Sequence, residues 1–243
     1  MMSRSNEGRG PLYRVYINRL RRSLDPDSVP KHVAMMIDGN RRWARQLGFD
    51  SPADGHRAGA AKMREFLEWC DEVGVQVVSL YLLSNDNVTK RDSREIADLI
   101  EIIAELADEL SRYRDWKVQH VGSTAGLPDG LVAVLDAAQE RTKHNPGMHV
   151  NLAVGYGGRR DIVDAVRSII VAYDQEGGSL EELAASLTPE AIGEHLYTGG
   201  QPDPDLVIRT SGEQRLSDFL LWQSAHSEFY FVEELGPDLR EVD

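Results

Sequence analysis

The sequence predicts a single α/β domain built on a mostly parallel, six-stranded sheet flanked by helices. Three observations carry that prediction. Short β-branched runs alternate with helical-period stretches from residue 31 onward. Most of these runs are nearly continuous in hydrophobicity, as strands covered on both faces must be. No internal repeat or interdomain linker breaks the alternation, which is the pattern of a parallel sheet with crossover helices.

Residues 1–30 form a unit apart from the domain, which spans 31–243. The first ten residues, MMSRSNEGRG, read as a disordered tail. Pro11 then opens a helical-period segment with Leu12, Tyr16, Leu20 and Leu24, interleaved with Arg14, Arg19, Arg21 and Arg22. Two readings fit it: a basic amphipathic helix touching an anionic membrane, or a surface helix packing its leucines on the domain. The strand candidates are His32–Ile37, Val75–Leu83, Trp116–Val121, Met148–Val154, Leu206–Ile208 and Phe229–Val232. Between the first two, Met63, Phe66, Leu67, Cys70 and Val73 make one helical stripe closed by Gly74. Asp92 and Glu95 fit a capping box, opening a helix that turns Ile96, Leu99, Ile100, Ile103 and Leu110 inward. Ile162, Val166, Ile169 and Tyr173 share a face, and Thr188-Pro189 is a helix start.

Composition narrows the function classes. At 243 residues, 41% hydrophobic and 28% charged, the chain is an ordinary globular protein able to bury a sizeable core. No apolar run approaches the length that spans a bilayer, and no apolar segment follows the N-terminus as a signal peptide requires. Cys70 is the only cysteine, which fits a reducing, cytoplasmic location, with membrane association depending on the N-terminal helix. A net charge of −13 argues against nucleic acid as a partner. Yet Arg41, Arg42, Arg159, Arg160, Arg209 and Arg215 all lie in or just after strand ends. Clustered arginines in an acidic chain point to a local site for a small phosphorylated ligand.

Open α/β sheets bind ligands outside the carboxyl ends of their strands. The first end carries Asp38-Gly39-Asn40-Arg41-Arg42-Trp43. Asp38 alone could be a helix cap, but with two arginines behind it the better reading is a carboxylate for Mg²⁺ beside a phosphate-binding turn. Ser84-Asn85-Asp86-Asn87 is either a capped turn or a polar lining for a diphosphate. Gly155-Tyr156-Gly157-Gly158-Arg159-Arg160-Asp161 lacks the spacing of known phosphate loops and reads better as a tight strand-to-helix turn. Arg209-Thr210-Ser211-Gly212-Glu213-Gln214-Arg215-Leu216-Ser217 makes a good diphosphate clamp. Glu228 opens the last strand as an edge-strand charge or as a second metal ligand facing Asp38. No nucleophile–histidine pairing or zinc spacing stands out.

Together these motifs resemble the cis-prenyltransferase family of the undecaprenyl diphosphate synthase type. The matching segments are 32–44, Gly55-His56-Arg57-Ala58-Gly59, 81–87, 151–161, 205–213, Phe219 to Gln223 and Glu228, in the family's order. The resemblance implies a hydrophobic tunnel and a Mg²⁺-dependent condensation of isopentenyl diphosphate with an allylic diphosphate. It also implies homodimerisation. By resemblance, Asp38 holds Mg²⁺, and Gly39, Asn40, Arg41, Arg42, Trp43 and His56 hold the allylic diphosphate. Ser84, Asn85, Asp86 and Arg91 (or Lys90) line the substrate site, and Asn87 is linked to proton removal. Arg209, Arg215, Leu216 and Ser217 grip isopentenyl diphosphate, and Glu228 completes the metal site, from the partner subunit's side in one arrangement.

The departures are informative. Arg41 stands where long-chain members have glycine, Gln214 where many have a histidine, and Val88 where tryptophan is common. Leu82 replaces a small residue and would shorten the tunnel. Leu82, Arg41 and Gln214 together resemble the short-chain actinobacterial branch that makes Z,E-farnesyl diphosphate, with geranyl diphosphate as starter. A long-chain synthase, a non-catalytic partner subunit and an enzyme coupling two allylic diphosphates are the alternatives. The retained Asp-Gly-Asn-Arg loop argues against the second, and Arg209 with Arg215 against the third. Family members continue beyond the equivalent of Asp243 with a basic tail, so the expectation is either a chain that lacks its C-terminal segment or a natural short form.

Overall fold

A computed structural model describes residues 10–85, 92–177 and 179–243. Most of the N-terminal tail, and the predicted site residues Asp86, Asn87, Arg91 and Lys90, lie outside the described residues.

The strands are β1 (His32–Met36), β2 (Val77–Ser84), β3 (Lys117–Val121), β4 (His149–Tyr156), β5 (Leu206–Arg209) and β6 (Glu228–Phe231). They form one sheet in the order β3-β4-β2-β1-β5-β6, and every pairing is parallel rather than most of them. The helices that position the site are α1 (Pro11–Ser23), α2 (Asn40–Gln46), α3 (Pro52–Val73), α4 (Ser93–Tyr113), α5 (Asp129–Thr142) and α6 (Gly158–Glu176). Two shorter ones follow, α7 (Leu180–Ser186) and α8 (Pro189–His195), the latter capped by Thr188 as its Thr-Pro start predicts.

Alternation along the strands sorts side chains to two faces. On one, Met35, Leu80 and Leu152 are fully buried against Phe66, Leu67 and Cys70 of α3 and Ile103 and Leu110 of α4. Burial also pushes the Cys70 thiol well above its ordinary range, which removes it as a nucleophile. On the other face, Ala34, Met36, Ala153 and Val207 are covered by Tyr156, Phe219 and Leu220.

Two local expectations are corrected. Asp92 caps α4 through Arg94 N–H, but no capping box forms: Glu95 turns away toward His56 and Arg41. On α1 the seated residues are buried Ile17 and half-buried Leu20, whereas Leu12, Tyr16 and Leu24 are exposed. Arg21 sets that rotation by pairing with Glu72 and Glu241. Leu12, Val15 and Tyr16 consequently form an outward apolar face among arginines.

Candidate active site

The carboxyl ends of β1, β2, β4 and β5 open into one cavity of about 1390 Å³. Its construction begins at Asp38. Backbone pairing carries β1 up to Met36, and Asp38 N–H then donates to Thr210 Oγ1 (2.8 Å), whose hydroxyl donates back to Asp38 O (2.9 Å). That reciprocal pair locks the β1 and β5 ends together. Gly39 follows at φ +92°, and a Cβ there would lie 2.8 Å from Leu235 and 3.0 Å from Ser211, so a side chain is excluded by conformation and by space. The turn projects the Asp38 carboxylate, nearly half exposed, into the cavity and starts α2 with Asn40, Arg41 and Arg42 at its wall.

Arg209 faces Asp38 from the end of β5. Its guanidinium is almost wholly buried and donates to Asp38 Oδ2 (2.7 Å), Ser217 Oγ (2.8 Å) and the Arg215 carbonyl. Its Nε is buried without a hydrogen-bond partner, as are Ser211 Oγ and Asn40 Oδ1. Glu213 pairs with Arg215 and sits 3.5 Å from Arg42, while Glu95 sits 3.7 Å from Arg41 and 3.3 Å from His56. Among the described residues, seven arginines line this one cavity: Arg41, Arg42, Arg45, Arg159, Arg160, Arg209 and Arg215. In a chain of net charge −13, that concentration makes a local field for a polyanion. Away from the mouth the wall turns apolar, with Ala60 and Met63 of α3, Leu82 of β2, and Leu99, Ile103 and Leu106 of α4.

Ser84, Asn85 and His56 also line the cavity. The structure does not bring three predicted residues there. Trp43 stacks on Phe49 (5.7 Å between centroids) and donates its indole N–H to Asp238, so it anchors the C-terminal segment. Leu216 packs with the Ala34–Phe219 cluster. Glu228 is exposed and pairs in register with Leu206, which is itself level with Val33. It therefore sits at the amino end of the sheet and does not face Asp38 within the chain. The linear sequence puts Glu228 at a strand; only strand register says which end.

The glycine loop is a tight strand-to-helix turn, and it also reaches the ligand space, since Tyr156, Gly157, Arg159 and Arg160 line the cavity. Asp218 O and Oδ1 accept from the Gly158 and Arg159 amides, and buried Asp161 binds Tyr156 OH, Tyr197 N–H and Gln223. Burial raises the Asp161 carboxyl above its ordinary value. Glu95, Arg45 and Asp218 escaped sequence reasoning as site residues. For Glu95 the signal was present but was spent on a cap.

No group of three or more metal-ligating side chains exists among the described residues. Asp38 alone is still compatible with Mg²⁺, which is commonly held by one or two carboxylates together with substrate phosphates.

Comparison with known proteins decides what this site belongs to. The family model described as "Putative undecaprenyl diphosphate synthase" matches residues 36–243. The chain belongs to this prenyltransferase family. A (2Z,6E)-farnesyl diphosphate synthase from Thermobifida fusca is 54% identical over 233 residues, covering 96% of this chain and 91% of that protein. One from Mycobacterium tuberculosis is 50% identical over 236 residues, covering 96% and 90%. The crystal structure of lavandulyl diphosphate synthase from Lavandula x intermedia, in complex with dimethylallyl diphosphate, matches with a TM-score of 0.81. It is 34% identical, covering 89% of this chain and 92% of that one. In this prenyltransferase the cavity and all seven of its arginines fall within the matched region.

Proposed function

We propose that the enzyme condenses isopentenyl diphosphate with geranyl diphosphate to give Z,E-farnesyl diphosphate. The observation that carries this reading is one cavity with an arginine-lined mouth and an apolar wall, the two halves of a prenyl diphosphate. Arg41, Arg42 and His56 bind the allylic diphosphate, with Gly39 and Asn40 shaping its turn. Arg209, Arg215 and Ser217 bind the isopentenyl diphosphate, and Ser84 and Asn85 line the space between. The allylic C–O bond breaks with departure of diphosphate, the isopentenyl double bond attacks the resulting carbon, and the cation so formed loses a C2 proton to a diphosphate oxygen, a step to which the resemblance links Asn87. Arginines converging on the cavity stabilise the charge that grows on the leaving diphosphate. Mg²⁺, held by Asp38 and diphosphate oxygens, would supply further neutralisation of that charge.

Leu82 narrows the apolar wall and limits the product to a short chain. The edge strand β6 exposes Phe229 and Tyr230 on its two sides, an aromatic edge suited to a homodimer, and Glu228 on that edge would contribute to the site across it. The outward face of α1, apolar among arginines, suits contact with an anionic membrane by a cytoplasmic enzyme. No described helix is long and apolar enough to cross one.

Chromatography of products made with Mg²⁺ and labelled isopentenyl diphosphate from dimethylallyl, geranyl and farnesyl starters tests the reading. A fifteen-carbon product from geranyl diphosphate, lengthened by Leu82→Ala, is expected. Long polyprenyl products from the unmodified chain would discard the role of Leu82. No product from any starter would favour a non-catalytic partner subunit.

A further inference from the structure

Among the described residues, the non-glycine positions with left-handed backbone are Ser211 (φ 76°), Ser217 (48°), Asp218 (65°) and Leu220 (43°). All four fall in the loop that carries Arg215. Conformations of this kind persist only where the surroundings over-determine them, and they gather at functional sites. Asp218 is where the surroundings take hold. Its carbonyl accepts from Gly158 N–H (2.7 Å) and its Oδ1 from Arg159 N–H (3.1 Å). These are two of the first amides of α6, whose own N-cap, Gly157, offers no side chain. The fit is close: a Cβ on Gly157 would lie 2.9 Å from Asp218 Oδ2, and one on Gly158 2.9 Å from Asp218 O.

One residue upstream, Ser217 Oγ accepts from Arg209 (2.8 Å), and its carbonyl accepts from Tyr81 OH (3.1 Å). Arg209 in turn holds Asp38 Oδ2 (2.7 Å). The bonds therefore run unbroken from the start of α6 through Asp218 and Ser217 to Arg209 and Asp38. We propose that Asp218 is a positioning residue for the isopentenyl diphosphate clamp, pinning the left-handed turn that aims Ser217 and Arg209 into the cavity. This rests on the reading of Arg209, Arg215 and Ser217 as that clamp.

Asparagine keeps a side-chain acceptor and tolerates left-handed backbone, glycine tolerates the backbone without the acceptor, and alanine does neither. With saturating allylic diphosphate, Asp218→Ala and Asp218→Gly are expected to raise KM for isopentenyl diphosphate about tenfold, with a smaller change in kcat. Asp218→Asn should keep KM at or below that of the unmodified chain. Arg215→Ala serves as the reference for the clamp. If it leaves KM unchanged, the clamp reading fails and the proposal with it. If it raises KM while Asp218→Gly lowers only the thermal midpoint, the clamp stands and positioning by Asp218 is overturned. An Asp218→Asn variant as impaired as Asp218→Ala would overturn it too, since the acceptor would then not be what matters.

Discussion

At the amino half of the sheet, His32, Ser79, Asn151, Gln201, Gln119 and His149 make one connected chain of hydrogen bonds. At the carboxyl ends, Asp38, Arg209 and Asn40 share a cavity with six further arginines. In the first region His32 meets Ser79 at 2.8 Å, and Asn151 donates to Ser79 (3.0 Å) and Gln201 (2.7 Å). Gln201 returns a bond to Asn151 (3.2 Å), and His149 meets Gln119 at 2.9 Å. Burial holds both imidazoles below their ordinary value, His149 at about 4, so the network is uncharged at neutral pH. None of its side-chain atoms is a buried group without a partner, whereas Arg209 Nε, Ser211 Oγ and Asn40 Oδ1 are. Both regions are polar and flank the same strands. One is complete by itself and fixes packing; the other gathers cations and an unspent Arg209 donor at a cavity that a polyanion would complete.

The comparison predicts separable losses. The largest should follow Asp38→Ala, about a thousandfold in kcat measured with geranyl and isopentenyl diphosphates, with circular dichroism unchanged. Arg209→Lys comes next. A lysine cannot span Asp38, Ser217 and the Arg215 carbonyl at once, so kcat/KM for isopentenyl diphosphate should fall about a hundredfold. At the other end, Asn151→Ala leaves Ser79 and Gln201 short of a partner. It should cost about 1–3 kcal/mol in urea unfolding and leave kcat within about twofold. A collapse of kcat in that variant would erase the distinction between the two regions.

The smallest effect is on pH dependence. An imidazole whose folded value lies below its unfolded one lets the unfolded chain bind more protons between the two. Stability should therefore fall as pH drops from 6.5 toward 4, through His149 with His32 and His120 adding in the same direction. Asp161 opposes this at the acid end, because its raised carboxyl keeps a proton in the folded state and that contribution fades as pH rises. Unfolding midpoints measured at intervals across this window should flatten in His149→Gln.

Much of the fold was legible because its signals are local. Continuous apolar runs announced doubly covered strands, and Thr188-Pro189 announced a helix start within a few residues. Site legibility was uneven for the same reason. Asp38, Arg41, Arg42, Arg209 and Arg215 sit in short motifs at strand ends, and the sheet brings every such end to one side. Trp43 and Leu216 lie in those motifs too, yet their side chains turn to Asp238 and to the Ala34–Phe219 cluster.

The sequence by itself determined the elements, the crowding of arginines at strand ends and membership of the family, since these depend on residue types a few positions apart. Tertiary structure decided which end of β6 carries Glu228, which face of α1 is seated, and that Glu95 serves His56 and Arg41 rather than its own helix. It also decided that Asp218 closes the glycine turn. Each of these turns on strand register or on a contact between residues far apart in the chain, and a one-residue difference in register or a helix rotation reverses the answer without changing the local pattern.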